Sequence, residues 1–133
     1  MNLAENLAGA ASRGELVAWF QPQIDLASGR IVAAEALARW QHPETGLVPP
    51  NDFIPVAEET GAIHEIGDFM IEQGCELAAE LADVEIAVNV SPVQLTRPDF
   101  AARLIAAFQR HGLHRGQLSV EITEGRPVLD LPD

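Results

Sequence analysis

Apolar and polar positions alternate along this chain in two rhythms, and the switches between them mark its elements. Residues 15–26 are strand-like, carrying Leu16, Val17, Trp19, Phe20 and Ile24, and the turn Ala27-Ser28-Gly29 closes them. Residues 31–40 follow at hairpin distance as a second strand. Residues 41–50, rich in Pro and Gly, read as a loop. Asn51 is a good N-cap for a short helix through Glu59, ended by Gly61. Residues 63–81 carry the longest helical pattern, with Ile63, Ile66, Met70, Leu77 and Leu81 on one face. Residues 85–91 form a third strand. Residues 99–111 form a second long helix, with Pro98 at its start, a stripe of Phe100, Leu104, Ile105 and Phe108, and Gly112 as its stop. Residues 118–123 form a fourth strand. Ahead of all these, residues 1–13 read as a short lead-in helix that Gly14 ends.

After one hairpin the order is strand, helix, strand, helix, strand, which argues for βα units and a parallel sheet. A closed eight-stranded βα barrel takes about 250 residues. The 133 residues here are about half of one. The predicted organisation is a lead-in over residues 1–14 and half a barrel over residues 15–133, ending without a helix to cover the fourth strand.

Composition narrows the class. Apolar residues make up 47% of the chain, enough for a core. The net charge is −12, from 20 acidic and 8 basic residues, and such a surface repels nucleic-acid polymers. An anionic ligand needs local help from metal ions or a well-placed Arg. No apolar run approaches the roughly 18–20 residues that cross a bilayer. The first 14 residues have Glu5 ahead of any basic residue and no long apolar centre, unlike a signal peptide. The one cysteine, Cys75, excludes an internal disulfide and reads as a buried, inert thiol in a reducing cytoplasm.

Period-two alternation selects the candidate chemistry. In the second strand Ala33, Glu35, Leu37 and Arg39 share a face, in the third Ala87, Asn89 and Ser91, and in the fourth Ser119, Glu121 and Thr123. Three strands thus each bring one oxygen-bearing side chain (Glu35, Asn89, Glu121) near the C-terminal end, where βα sheets gather their ligands. Two carboxylates and an amide carbonyl suit Mg²⁺ or Mn²⁺ rather than zinc. The alternative is a set of polar residues satisfied at a barrel rim. The histidines His42, His64, His111 and His114 show no ligand spacing and fall in loops, on helices or near helix ends.

Seven collinear segments carry a family resemblance: Phe20-Gln21-Pro22, Glu35-Ala36-Leu37-Ala38-Arg39-Trp40, His42-Pro43, Phe53-Ile54-Pro55-Val56-Ala57-Glu58, Val88-Asn89-Val90-Ser91, Gln94-Leu95 and Glu121-Ile122-Thr123-Glu124. In order and spacing the chain resembles the EAL domain, a bacterial domain that linearises cyclic di-GMP to pGpG with divalent metals. The resemblance runs from about Gly14 to Glu124. It implies an α/β fold, a partial TIM-like (β/α) barrel comprising roughly the first four strands, with the first strand pairing as a hairpin with the second. It implies Glu35, Asn89 and Glu121 as ligands of Mg²⁺ or Mn²⁺, with Glu35 catalytic. Gln21, Leu37 and Arg39 would contact the dinucleotide, and Arg39 would offer its planar fork to a phosphate. Trp19 and Trp40 read as packing residues. Glu124 resembles the family residue that braces the loop after the fifth strand.

The family's paired-aspartate motif Asp-Asp-Phe-Gly, a catalytic Lys and a further Glu have no counterpart here, and Asp130 and Asp133 lie in no such motif. The expectation is a phosphodiesterase site that is incomplete in this chain and inactive alone. The alternative is a degenerate module acting as a cyclic di-GMP receptor or as a protein-interaction and assembly element. A half barrel has open edges, so a homodimer or larger self-association is also expected.

Overall fold

Strands β1 (Leu16–Ile24) and β2 (Ile31–His42) pair antiparallel as the expected hairpin, from Leu16 opposite Trp40 to Ile24 opposite Ile31. The pairing follows from the period-two pattern. Ala34, Ala36 and Trp40 of β2 are buried under helices, while Glu35, Leu37 and Arg39 between them stay half-buried on the other face. The computed structural model describes residues 2–122 and the strand Pro127–Leu129. Parallel pairings then add β4 (Glu85–Val90) to β2 and β5 (Leu118–Ile122) to β4. The sheet order is β1-β2-β4-β5-β6, where β6 is Pro127–Leu129, with the short β3 (Gly46–Val48) on the far end of β2. This is the expected α/β arrangement, a mixed sheet whose parallel part alternates with helices.

Several expected boundaries move. The lead-in helix is only α1 (Leu3–Leu7), and residues 8–14 continue as turns. Arg13 explains the shape: its guanidinium donates to the carbonyls of Asn6 (2.5 Å) and Ala8 (2.7 Å), satisfying the end of α1 from outside the helix. The stretch 41–50 is not all loop, because β2 continues to His42 and turns into β3, with Trp40 opposite Val48. Asn51 is not the N-cap of α2 (Pro50–Thr60). Pro49 takes that position and Pro50 the first helical one, where a fixed φ and a missing N–H cost the helix nothing. Residues 92–96 form a 3-10 helix that the pattern did not announce, and β6 (Pro127–Leu129) runs antiparallel to β5.

Helix α3 (Ala62–Glu80) lies across the sheet on a stripe of Ile63, Ile66, Gly67, Met70, Ile71, Gly74, Cys75 and Ala78. Leu81, assigned to this stripe from its spacing, caps the helix instead and is 39% exposed. Small residues let the helix sit low. A Cβ on Gly74 would stand 2.6 Å from Val88 Cγ2, so the α3 backbone rests directly on β4. Helix α4 (Phe100–Arg110) buries Phe100, Leu104 and Phe108 as its stripe required, with Ile105 packed beside them. Ion pairs hold α4 and the Arg97 that precedes it to α3: Asp68 meets Arg97 at 2.7 Å and Arg103 at 2.8 Å, and Glu72 meets Arg110 at 2.6 Å. Cys75 is fully buried, and burial pushes its thiol up to about 11, as an inert cysteine requires. Among the described residues no helix is long and apolar enough to cross a membrane.

Two residues of the β2 end belong to the core rather than to a loop. Trp40 is fully buried, set edge-on to Phe53 at 5.9 Å and to His42 at 5.5 Å. Its indole N–H donates to Glu15 Oε1 at 3.0 Å. Arg13 and then Trp40, both hydrogen-bonded to Glu15, hold that carboxyl down at about 2. His42 Nδ1 accepts the backbone N–H groups of Glu44 and Thr45, so the ring proton sits on Nε2 and is donated to Asn6 Oδ1 at 3.2 Å. His42 is thus a buried clasp between the N-terminal segment and the β2–β3 turn.

Candidate functional site

The sheet face away from the helices gathers the predicted side chains, and the register decides which of them meet. Across β1 and β2, Gln21 stands opposite Glu35, Trp19 opposite Leu37 and Val17 opposite Arg39. Across the parallel strands, Glu35 stands opposite Ala87, and Asn89 stands opposite Glu121. Glu35 therefore lies one pleat below the Asn89–Glu121 pair on the same face. Asn89 closes that step by donating its Nδ2–H to Glu35 Oε2 at 2.7 Å. The bond fixes the amide: with nitrogen toward Glu35, the Oδ1 oxygen has no hydrogen-bond donor among the described residues.

Glu35, Leu37, Arg39, Asn89 and Glu121 line one cavity of about 440 Å³. Apolar residues of the helix-covered side line it as well, Ile54 of α2 and Ile63, Ile66 and Met70 of α3 together with Ala36 and Ala38 of β2, so the cavity is not confined to one face of the sheet. Gln21 does not line this cavity and is exposed on β1 beside Glu35. Two carboxylates and one amide oxygen on neighbouring strands are hard donors of the kind Mg²⁺ and Mn²⁺ take, so these residues fit such an ion. They are a partial set: among the described residues no group of three or more His, Cys, Asp or Glu could hold a metal. Glu124, Asp130 and Asp133 lie outside the described residues.

Arg39 is the one described cation lining this cavity. Its Nη1–H donates to the Ala38 carbonyl at 2.8 Å, and its guanidinium carbon sits 5.0 Å from the Trp19 ring centroid. Trp19 is therefore not a core packing residue. It is 47% exposed and carries the Arg39 guanidinium over its ring, a cation–π contact on the site face. The sequence did carry a sign of this, because Trp19 shares the alternation face of Val17 and Gln21. Three further polar residues at the site's edge were not singled out as site residues: Ser91 and Gln94, which line the cavity, and Glu58, which accepts from Ser91 Oγ at 2.5 Å.

Known proteins resemble this chain in sequence and in fold. The family model described as "EAL domain" matches residues 4–131. The bifunctional diguanylate cyclase/cyclic di-GMP phosphodiesterase MucR of Pseudomonas aeruginosa is 35% identical over 135 residues, a match covering 98% of this chain and 20% of that protein. Among solved structures, the PaMucR phosphodiesterase in complex with c-di-GMP superposes with a TM-score of 0.81 at 34% identity, over 90% of this chain and 51% of that one. The FimX EAL domain of Pseudomonas aeruginosa bound to c-di-GMP gives a TM-score of 0.81 at 27% identity, over 92% of this chain and 50% of that one. The chain thus spans about half the length of these solved structures.

Proposed function

The chain belongs to the EAL domain family, and on that premise we propose that it supplies one side of a site for cyclic di-GMP. In this reading Glu35, Asn89 and Glu121 hold Mg²⁺ or Mn²⁺, and Glu35 is the catalytic carboxylate among them. A divalent ion held there would supply Lewis acidity toward the phosphodiester and a water acidic enough to attack it. Asn89 keeps its Oδ1 turned outward because its nitrogen is committed to Glu35. Arg39, braced on Trp19, presents two parallel N–H groups to a phosphate oxygen pair. Leu37 packs beside the ligand, and Gln21 hydrogen-bonds it from the adjacent strand. The observation that carries the proposal is the Glu35–Asn89–Glu121 constellation, three oxygen donors from three adjacent strands beside one cavity that also holds Arg39.

A second reading rests on the size of the donor set. Among the described residues the site holds two carboxylates, fewer than a pair of metal ions requires, and in this reading the chain acts as a receptor or assembly element and turnover needs further ligands. One experiment addresses both. The 133-residue protein is incubated with cyclic di-GMP and Mg²⁺ or Mn²⁺, products are separated by chromatography, and binding is followed by calorimetry. Binding heat that disappears in Arg39→Ala, without hydrolysis, is the expected result. Hydrolysis to pGpG that Glu35→Ala abolishes would overturn the receptor reading. Absence of binding would overturn the proposal itself.

A further inference from the structure

Beyond Asn89 only Val90 remains in the β4 ladder, and at Ser91 the chain leaves the sheet. The exit is pinned by side chains rather than by strand pairing. The Ser91 N–H donates to Gln94 Oε1 at 2.9 Å, and Ser91 Oγ accepts the Val93 N–H at 3.2 Å. The same Oγ donates its proton to Glu58 Oε2 on α2, at 2.5 Å. Ser91 is 2% exposed and Gln94 1%. Because Gln94 Oε1 takes the Ser91 N–H, Nε2 faces the other way and has no hydrogen-bond partner among the described residues. It is pressed against α3 at Gly67, where a Cβ would stand 1.9 Å from it. A methionine would fill this space without stranding a buried donor, which a folded chain normally avoids. What the amide contributes is the oxygen it presents to Ser91.

We infer that Glu58, Ser91 and Gln94 are positioning residues that fix the end of β4 and so the direction in which Asn89 presents Oδ1. Ser91 follows Asn89 by two residues, so a turn of the backbone at the exit is passed on to Asn89. The Glu58 and Gln94 contacts hold one end of this segment while the Asn89–Glu35 bond holds the other. Partners of this kind orient a metal ligand without touching the metal. The inference rests on the proposed role of Asn89 as a ligand.

The test uses the ¹⁵N-labelled 133-residue chain, with Mn²⁺ alone as probe. Two quantities are read by NMR: the solvent-exchange rate of the Asn89 side-chain NH₂, and the Mn²⁺ affinity from paramagnetic broadening of that signal. Gln94→Met and Ser91→Ala, with far-ultraviolet dichroism unchanged, should speed the exchange and weaken Mn²⁺ by about tenfold or more. Ser91→Thr keeps the hydroxyl and Glu58→Gln keeps an acceptor, so both should stay close to wild type, while Glu58→Ala should not. Unchanged exchange and affinity in Gln94→Met and Ser91→Ala would overturn the inference, as would equal losses in the conservative variants. Should Gln94→Met fail to fold, the Glu58→Ala and Glu58→Gln pair decides alone. A wild-type chain that binds no Mn²⁺ would sink the proposed metal role, and the Asn89 exchange rate would still decide the positioning.

Discussion

Replacing Gly74 by alanine sets two effects of opposite sign against each other. Alanine in a helix interior is favoured over glycine by about 1 kcal/mol, so propensity alone predicts a more stable protein. The new Cβ, however, would stand 2.6 Å from Val88 Cγ2, and 3.7 Å from Ile86 Cγ2 and Leu118 Cδ1. Val88 is 1% exposed and β-branched, so its methyl has no neighbouring rotamer to retreat into. Either α3 lifts off β4 or the strand shifts, and overpacking of this kind costs about 1–3 kcal/mol. The upper half of that range applies to a stiff partner, which leaves a net loss of about 1–2 kcal/mol. With a urea slope of about 2 kcal/mol/M, the unfolding midpoint falls by about 0.5–1 M. Pairing Gly74→Ala with Val88→Ala removes the obstructing methyl, so the double variant should be more stable than the sum of the singles by about 1 kcal/mol. A raised midpoint for Gly74→Ala alone would refute the close α3–β4 packing.

Acid should loosen the N-terminal segment. The Glu15 carboxyl is held at about 2 against an ordinary 4.5, so its contribution is complete above 4.5 and is lost as pH falls toward 2. Glu15→Gln should flatten that part of the melting-temperature profile, and an unchanged slope would contradict the Arg13–Glu15–Trp40 arrangement. Cys75, fully buried with its thiol pushed up to about 11, should resist thiol reagents at pH 8 until urea unfolds the chain. Rapid native-state labelling would contradict its burial. Among the described residues the outer edge of β1 has no strand partner, and Trp19, Ile24, Ile31 and Val32 are exposed, so we predict a homodimer at micromolar concentration. Light scattering that returns a single-chain mass would refute it.

The alternation in β2, β4 and β5 was enough to bring Glu35, Asn89 and Glu121 to one face, because period two is a local property of the backbone. The step between them was not legible. Whether Glu35 stands level with Asn89 or one pleat below depends on the β2–β4 register, which long-range pairing sets. Gln94 shows the same limit. Its burial depends on Gly67, twenty-seven positions earlier, whose missing side chain is the space that the amide fills. Glycines inside α3 read locally as weak helix positions, yet Gly67 and Gly74 are where the helix touches the rest of the molecule. His42 looked like a loop residue because Pro43 and Gly46 follow it, and only the β2–β3 pairing turns it inward.

In the proposed function Glu35, Asn89 and Glu121 together hold a divalent ion. Crystals of the chain soaked in Mn²⁺, with diffraction measured near the manganese absorption edge, test it most directly. The expected result is an anomalous peak within coordinating distance of both carboxylates and of Asn89 Oδ1, and none in crystals of Glu121→Ala. A peak elsewhere, or no peak in wild-type crystals at millimolar Mn²⁺, would contradict it.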